Sequence, residues 1–163
     1  MKVIILNGPM GVGKTTVGNL IADRINGTAY IDGDWCMDLH PFVGNSETRA
    51  MAVDNILHML GNYRDCSSCN MAVVSWLIDD DKVLEQLIQG IRDLDMETSV
   101  FTLVCSEEQL RKQWKEDKIC PWRTEEWLSV SLRSLDDFRA KDNVIDTTCM
   151  ETKEVTNLIL KSL

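Results

Sequence analysis

Along the chain, short unbroken apolar runs alternate with stretches of helical period. Residues 3–6 (VIIL) form a continuous apolar run, the mark of a strand buried on both faces. Val17, Leu20, Ile21 and Ile25 then recur at helical spacing. Residues 28–31 predict a second short strand, and 46–63 a helix with Ser46 as its cap. Residues 72–77 (AVVSWL) predict a third strand, and 80–93 a helix whose apolar positions are Val83, Leu84, Leu87, Ile88 and Ile91. A fourth strand follows at 99–104, and Ser106 is placed to cap a helix reaching Trp114. Residues 124–140 are helical in pattern, Val144 and Ile145 mark a last strand, and 152–160 a last helix. Strands alternating with helices imply βαβ units, hence an α/β fold with a parallel sheet covered on both faces. Right-handed crossovers then restrict the topology.

A length of 163 residues suits one domain over residues 1–163, long enough to bury about two thirds of its unfolded surface. The 44% apolar and 26% charged fractions are those of an ordinary globular chain, so neither disorder nor a membrane class is indicated. No apolar run approaches the ~20 residues needed to span a bilayer. The strand pattern at the start does not read as a signal peptide, so a cytoplasmic location is expected, as monomer or homodimer, with no membrane partner. The net charge of −9 argues against nucleic acid as a partner. It also requires that any site for a polyanion gather the few cations locally. Six cysteines, at 36, 66, 69, 105, 120 and 149, are expected as free thiols. Cys66 and Cys69 are the one close pair. Cys36, His40 and His58 are loose candidates to complete a metal site with them, against the plainer reading of a loop that carries two cysteines.

The strongest chemical signal follows the first strand. Gly8-Pro-Met-Gly-Val-Gly13-Lys14-Thr15 fits G-x-x-x-x-G-K-[ST], with a buried strand before it and an amphipathic helix after it. A triphosphate presents several negative charges and many acceptor oxygens. Converging amides can satisfy them if no side chains intervene. Gly8, Gly11 and Gly13 allow that approach, and the amides of Met10, Val12 and Thr16 extend the set. Lys14 is expected at the outer phosphates, and the Thr15 hydroxyl on Mg²⁺. A dinucleotide fingerprint is excluded here, because Thr16 stands where its third glycine would be.

Tyr30-Ile-Asp-Gly-Asp-Trp35 closes the second strand. Residues i and i+2 of an extended chain face one way, so Asp32 and Asp34 are expected in one cleft beside the phosphate turn. One can take the proton of a substrate hydroxyl, and the other can hold a Mg²⁺ water or bind substrate. Asp34, further past the strand, is the choice of base. The alternative is an ordinary Asp-Gly turn. Trp35 is either a wall of the substrate pocket or core. His40, Arg49 and Arg64 are weaker substrate candidates, solvent exposure being the plainer reading of the arginines. Asp79, Asp80 and Asp81 suggest a Mg²⁺ site, but they precede a helix, where acidic residues complement the dipole.

Residues 111–123 (RKQWKEDKICPWR) hold five of the 17 lysines and arginines. The segment leaves a helix and meets Pro121, and it is expected as a mobile flap, or lid, centred on about 115–124 that brings positive charge over the phosphates and excludes water. The alternative is a solvated helix face. Arg123 is assigned to the phosphates as a catalytic cation, and Arg111 to stacking on the base.

Together these residues resemble the small P-loop kinases with the nucleoside monophosphate kinase fold, over almost the whole chain. GPMGVGKTT matches their phosphate loop. IDGD looks like the segment after the second strand in adenylylsulfate and gluconate kinases, and LVCSEEQLRKQW is similar to the fourth strand and pre-lid helix. The resemblance implies ATP, Mg²⁺, a lid, and a three-layer α/β/α fold on a five-stranded parallel sheet of order 2-3-1-4-5. It implies an adenine contact at Arg111, and places Thr147 and Thr148 near the base. The substrate region departs from the pattern: five residues separate Asp34 from His40, and AVVSWLIDD replaces the glycine cluster of shikimate kinases. The acceptor, a hydroxyl or phosphate of a small metabolite or nucleotide, is therefore not named. The alternative is a P-loop ATPase or nucleotide switch. N-K-x-D and D-x-x-G, expected of a guanine-specific switch, are absent.

Overall fold

The computed structural model of the protein describes residues 1–117, 120 and 124–163. Five strands form its sheet: β1 (Lys2–Asn7), β2 (Thr28–Asp32), β3 (Met71–Ser75), β4 (Glu97–Val104) and β5 (Val144–Asp146). All pairings are parallel, and the order is β2-β3-β1-β4-β5, as expected. The helices are α1 (Lys14–Arg24), α2 (Ser46–Arg64), α3 (Asp81–Asp93), α4 (Glu107–Glu116), α5 (Glu125–Arg139) and α6 (Thr152–Lys161), with a short 3-10 helix at Asp34–Met37.

Alternation along β1 sorts the core into two layers. Val3 and Ile5 point to one face with Ile31, Ala72 and Val74, where α2 and α3 close over them through Ile56, Leu60, Leu87 and Ile91. Ile4 and Leu6 point to the other with Val73 and Leu103, beneath Val17 and Ile21 of α1, Leu110 and Trp114 of α4, Leu128 and Leu135 of α5, and Val155 and Ile159 of α6. Both faces of β1 are thus dry, which is why its sequence is an unbroken apolar run.

Several boundaries differ from the sequence expectation for local reasons. The cap of α2 is Asn45, not Ser46: its side chain accepts from Thr48 N at 2.9 Å while Thr48 Oγ1 accepts from Asn45 N at 3.0 Å. β3 ends at Ser75 rather than Leu77, because its last partner on β2 is Asp32. Ser106 and Thr124 cap α4 and α5 through Gln109 N and Trp127 N. The helix expected to reach Trp114 runs on to Glu116, so residues 115 and 116, expected at the start of the lid, belong to α4, and Trp114 is buried against the core rather than part of a flap. Leu110 and Trp114 lie one helical turn apart and give that segment an apolar stripe the basic residues mask in the sequence. No helix among the described residues is long and apolar enough to cross a membrane.

Candidate functional site

The carboxyl ends of the parallel strands carry the candidate site, as in other open α/β sheets. Asn7 closes β1 fully buried. Its Oδ1 accepts from Gly8 N at 2.8 Å and Ile78 N at 2.9 Å, and its Nδ2 donates to Ile78 O at 3.0 Å. One amide therefore ties the start of the glycine turn to the chain leaving β3. Sequence reasoning assigned Asn7 no role; the signal was a polar residue ending a strand otherwise apolar.

Gly8 has φ +135°, and a Cβ built on it would lie 2.2 Å from the Leu103 carbonyl oxygen. Gly13, at φ +100°, opens α1 in the left-handed region without a side-chain cap, and the first turn holds no acidic residue. Nothing lies within 4 Å of a Cβ built there. Thr15 and Thr16 are exposed and no side chain caps the helix, so the positive end of α1 is open to an anion. Lys14 Nζ donates to the carbonyl oxygens of Gly8 at 2.8 Å and Pro9 at 2.9 Å, which closes the turn on itself.

Asp32 and Asp34 come together, but not by strand alternation. Asp34 begins the 3-10 helix, and its amide donates to Asp32 Oδ1 at 3.1 Å. The turn, not the pleat, sets the pair. Burial raises the pKa of both carboxyls; Lys14 opposes this at each, and Asp32 adds to it at Asp34. Asp34 keeps solvent access even so. Tyr30 Oη donates to Asp32 Oδ2 at 3.4 Å, and burial raises the Tyr30 pKa, so it stays a neutral donor. Tyr30 and Ser75, which line this corner beside α1, were not singled out in the sequence. Ser75 Oγ donates to Lys14 O at 3.3 Å.

Trp35 is 77% exposed at the cleft edge, so it is not core. Trp76 is the buried one: a Cβ on Gly33 would meet its ring at 2.2 Å. Arg49 is held by Asp79 at 3.2 Å and Arg64 by Asp65 at 2.9 Å. Asp80 caps α3 by accepting from Lys82 N, and Asp81 pairs with Lys141. The three aspartates thus have structural partners, and no cluster of metal-ligating side chains occurs among the described residues. His40 is exposed, 3.5 Å from Asp38. Cys66 and Cys69 lie in the turn before β3 as free thiols.

Arg111 projects from α4, half exposed, 4.0 Å from Glu107. Thr147 Oγ1 donates to Val104 O, and Thr148 Oγ1 accepts from Ser106 N at 2.8 Å, which joins the loops after β4 and β5. Arg123 and half of the expected lid lie outside the described residues.

No family model matches the chain. A stretch of 32 residues is 62% identical to the shikimate kinase of Streptomyces coelicolor, and covers 20% of this chain and 18% of that one. Another, of 35 residues, is 46% identical to the shikimate kinase of Psychrobacter cryohalolentis and again spans 18% of the relative's length. Solved structures match over nearly the full length. The Deinococcus radiodurans tunicamycin resistance protein superposes with a TM-score of 0.75 at 21% identity, covering 99% of this chain and 94% of that one. A gluconokinase from Sinorhizobium meliloti gives 0.67 at 18%, over 99% and 98%. Shikimate kinase from Acinetobacter baumannii, in complex with shikimate, gives 0.63 at 21%, over 98% and 91%. The chain resembles the small P-loop kinases and has their fold.

Proposed function

We propose that this chain is a kinase that moves the terminal phosphoryl group of ATP, with Mg²⁺, to a hydroxyl or phosphate of a small metabolite or nucleotide. One observation carries the reading: a glycine turn holds the uncapped N-terminus of α1 open beside two carboxylates, at the carboxyl edge of the sheet. The small-molecule kinases among the structural relatives support it.

The residues fit the implied groups. The Gly8 N–H is taken by Asn7 and Pro9 has none, so the amides from Met10 to Thr16, with Lys14, would hold the phosphates, and the Thr15 hydroxyl would hold Mg²⁺. Bound there, Mg²⁺ neutralises charge on the phosphates. Asp34 then acts as base. The acceptor oxygen bonds to the terminal phosphorus, the bond to the bridging oxygen breaks with its electron pair leaving on ADP, and the acceptor proton passes to Asp34. A carboxyl whose pKa is raised by burial is better suited to take that proton than an unshifted one. Asp32 positions Asp34 through the turn, and Arg111 and Arg123 would meet base and phosphate.

Calorimetry with Mg-ATP, followed by ADP release in the presence of metabolite pools, tests the reading. Stimulation by one pool is expected, and Lys14→Ala should lower the rate on the order of 10²–10³-fold. Steady hydrolysis indifferent to every pool would make the chain an ATPase instead.

A further inference from the structure

We infer that the phosphoryl acceptor is an uncharged, ring-bearing polyhydroxyl compound that lies along the outer edge of β2. The inference rests on the kinase reading and deepens it. A cavity of about 780 Å³ runs from Thr15 and Asp32, beside the phosphate turn, out between α1, the 3-10 helix and α2. Three side-chain amides line it: Asn19 on α1, with Asn55 and Asn62 on α2. His58 and Met59 complete the α2 side, and Trp35 stands at the rim.

Charge decides the class of ligand. Among the described residues, no lysine or arginine lines this cavity, and Asp32 is its one carboxylate. The arginines of α2 are committed to Asp79 and Asp65. The Lys14 ammonium lies on the carbonyls of the glycine turn. An anionic acceptor would lie against Asp32, with Asp34 on the same turn and a triphosphate nearby, and no lysine or arginine among the described residues of the cavity wall offsets the repulsion. Hydroxyl groups meet no such penalty. Asn19 donates its amide nitrogen to Thr15 O at 2.9 Å, and Asn55 to Cys36 O at 2.8 Å. These bonds fix both amides and leave their carbonyl oxygens as acceptors, which with Asp32 suit a ligand rich in O–H donors. The exposed Trp35 ring offers an apolar face for the flat side of a ring.

The test compares matched pairs of ring compounds that differ in charge: methyl glucoside against methyl glucuronoside, and methyl shikimate against shikimate, within a panel of methyl glycosides and nucleosides. The wild-type chain is first titrated with Mg-ATP, and ADP release is then followed with each compound. Uncharged members should exceed their anionic partners by about tenfold or more in kcat/KM. His58→Arg places a cation in the cavity wall and should shift the ratio several-fold toward the anions, through KM. An anion that equals its uncharged partner, a panel in which no uncharged compound stimulates ADP release, or a ratio indifferent to His58→Arg overturns the inference. Any of these with intact Mg-ATP binding leaves the nucleotide site standing; loss of that binding removes the kinase reading as well.

Discussion

Gly8 shows how little freedom the phosphate turn has. Any other residue at φ +135° would be strained, and its Cβ would also meet the Leu103 carbonyl, a backbone atom of β4 that cannot swing aside. Gly8→Ala should therefore destabilise by at least about 1–3 kcal/mol from backbone strain alone, and further if β4 shifts. Thermal unfolding measures this; a melting temperature equal to wild type would mean that the turn is not held as described. Asn7 works beside it by bonding rather than by shape. Its side chain serves Gly8 N and both polar groups of Ile78, so the turn is locked to β1 and β3 before any ligand arrives. The G-x-x-x-x-G-K-T pattern was visible in the sequence because steric demand leaves a residue-type signature. Asn7 was not, because its partner lies 71 residues away.

Among the elements, α4 stands behind the turn. Trp114 packs so closely that a Cβ on Gly11 would touch its ring at 2.9 Å. Trp114→Ala should cost about 3–5 kcal/mol and also weaken Mg-ATP binding, since the loop loses its backing. Leu87→Ala, in the layer under α3, should cost about 2–5 kcal/mol and leave Mg-ATP affinity unchanged. Melting curves and calorimetry on both variants separate the two effects; equal affinities would remove α4 from the loop's support. The helices and strands were legible from apolar period because each buries one stripe or two faces. The packing of α4 was hidden by its charge: Arg111, Lys112 and Lys115 surround Leu110 and Trp114, and composition alone suggested a flap. The site was legible where one segment supplies it, as in the turn and in Asp32 with Asp34. The groove along β2 was not, since Asn19, Asn55 and His58 converge only once α1 and α2 flank that strand.

For the molecule as a whole, the site should oppose stability, and pH exposes this. Folding raises the Asp34 pKa by burial, with Lys14 opposing and Asp32 reinforcing the rise. A carboxyl raised in the folded state favours folding while protonated and loses that contribution as pH rises through its folded pKa. At neutral pH the ionised Asp34 therefore works against the fold. Asp34→Asn, uncharged at every pH, should melt higher than wild type at pH 7, and the two should converge as pH falls below the ordinary carboxylate range. The same variant should lose on the order of 10²–10⁴-fold in phosphoryl transfer, as expected on removing a general base. Asp146 provides the opposite sign. The hydroxyl and amide of Thr148 donate to it and hold its pKa down, so its contribution is present at neutral pH and lost on acidification through its folded pKa. Asp146→Asn should accordingly melt lower at pH 7, and its deficit should close as the solution is acidified. Melting curves from pH 7 to pH 3 decide the matter. If Asp34→Asn gains nothing at neutral pH while Asp146→Asn behaves as stated, the carboxylate at position 34 is not crowded by the protein, and its suitability as the base goes with that.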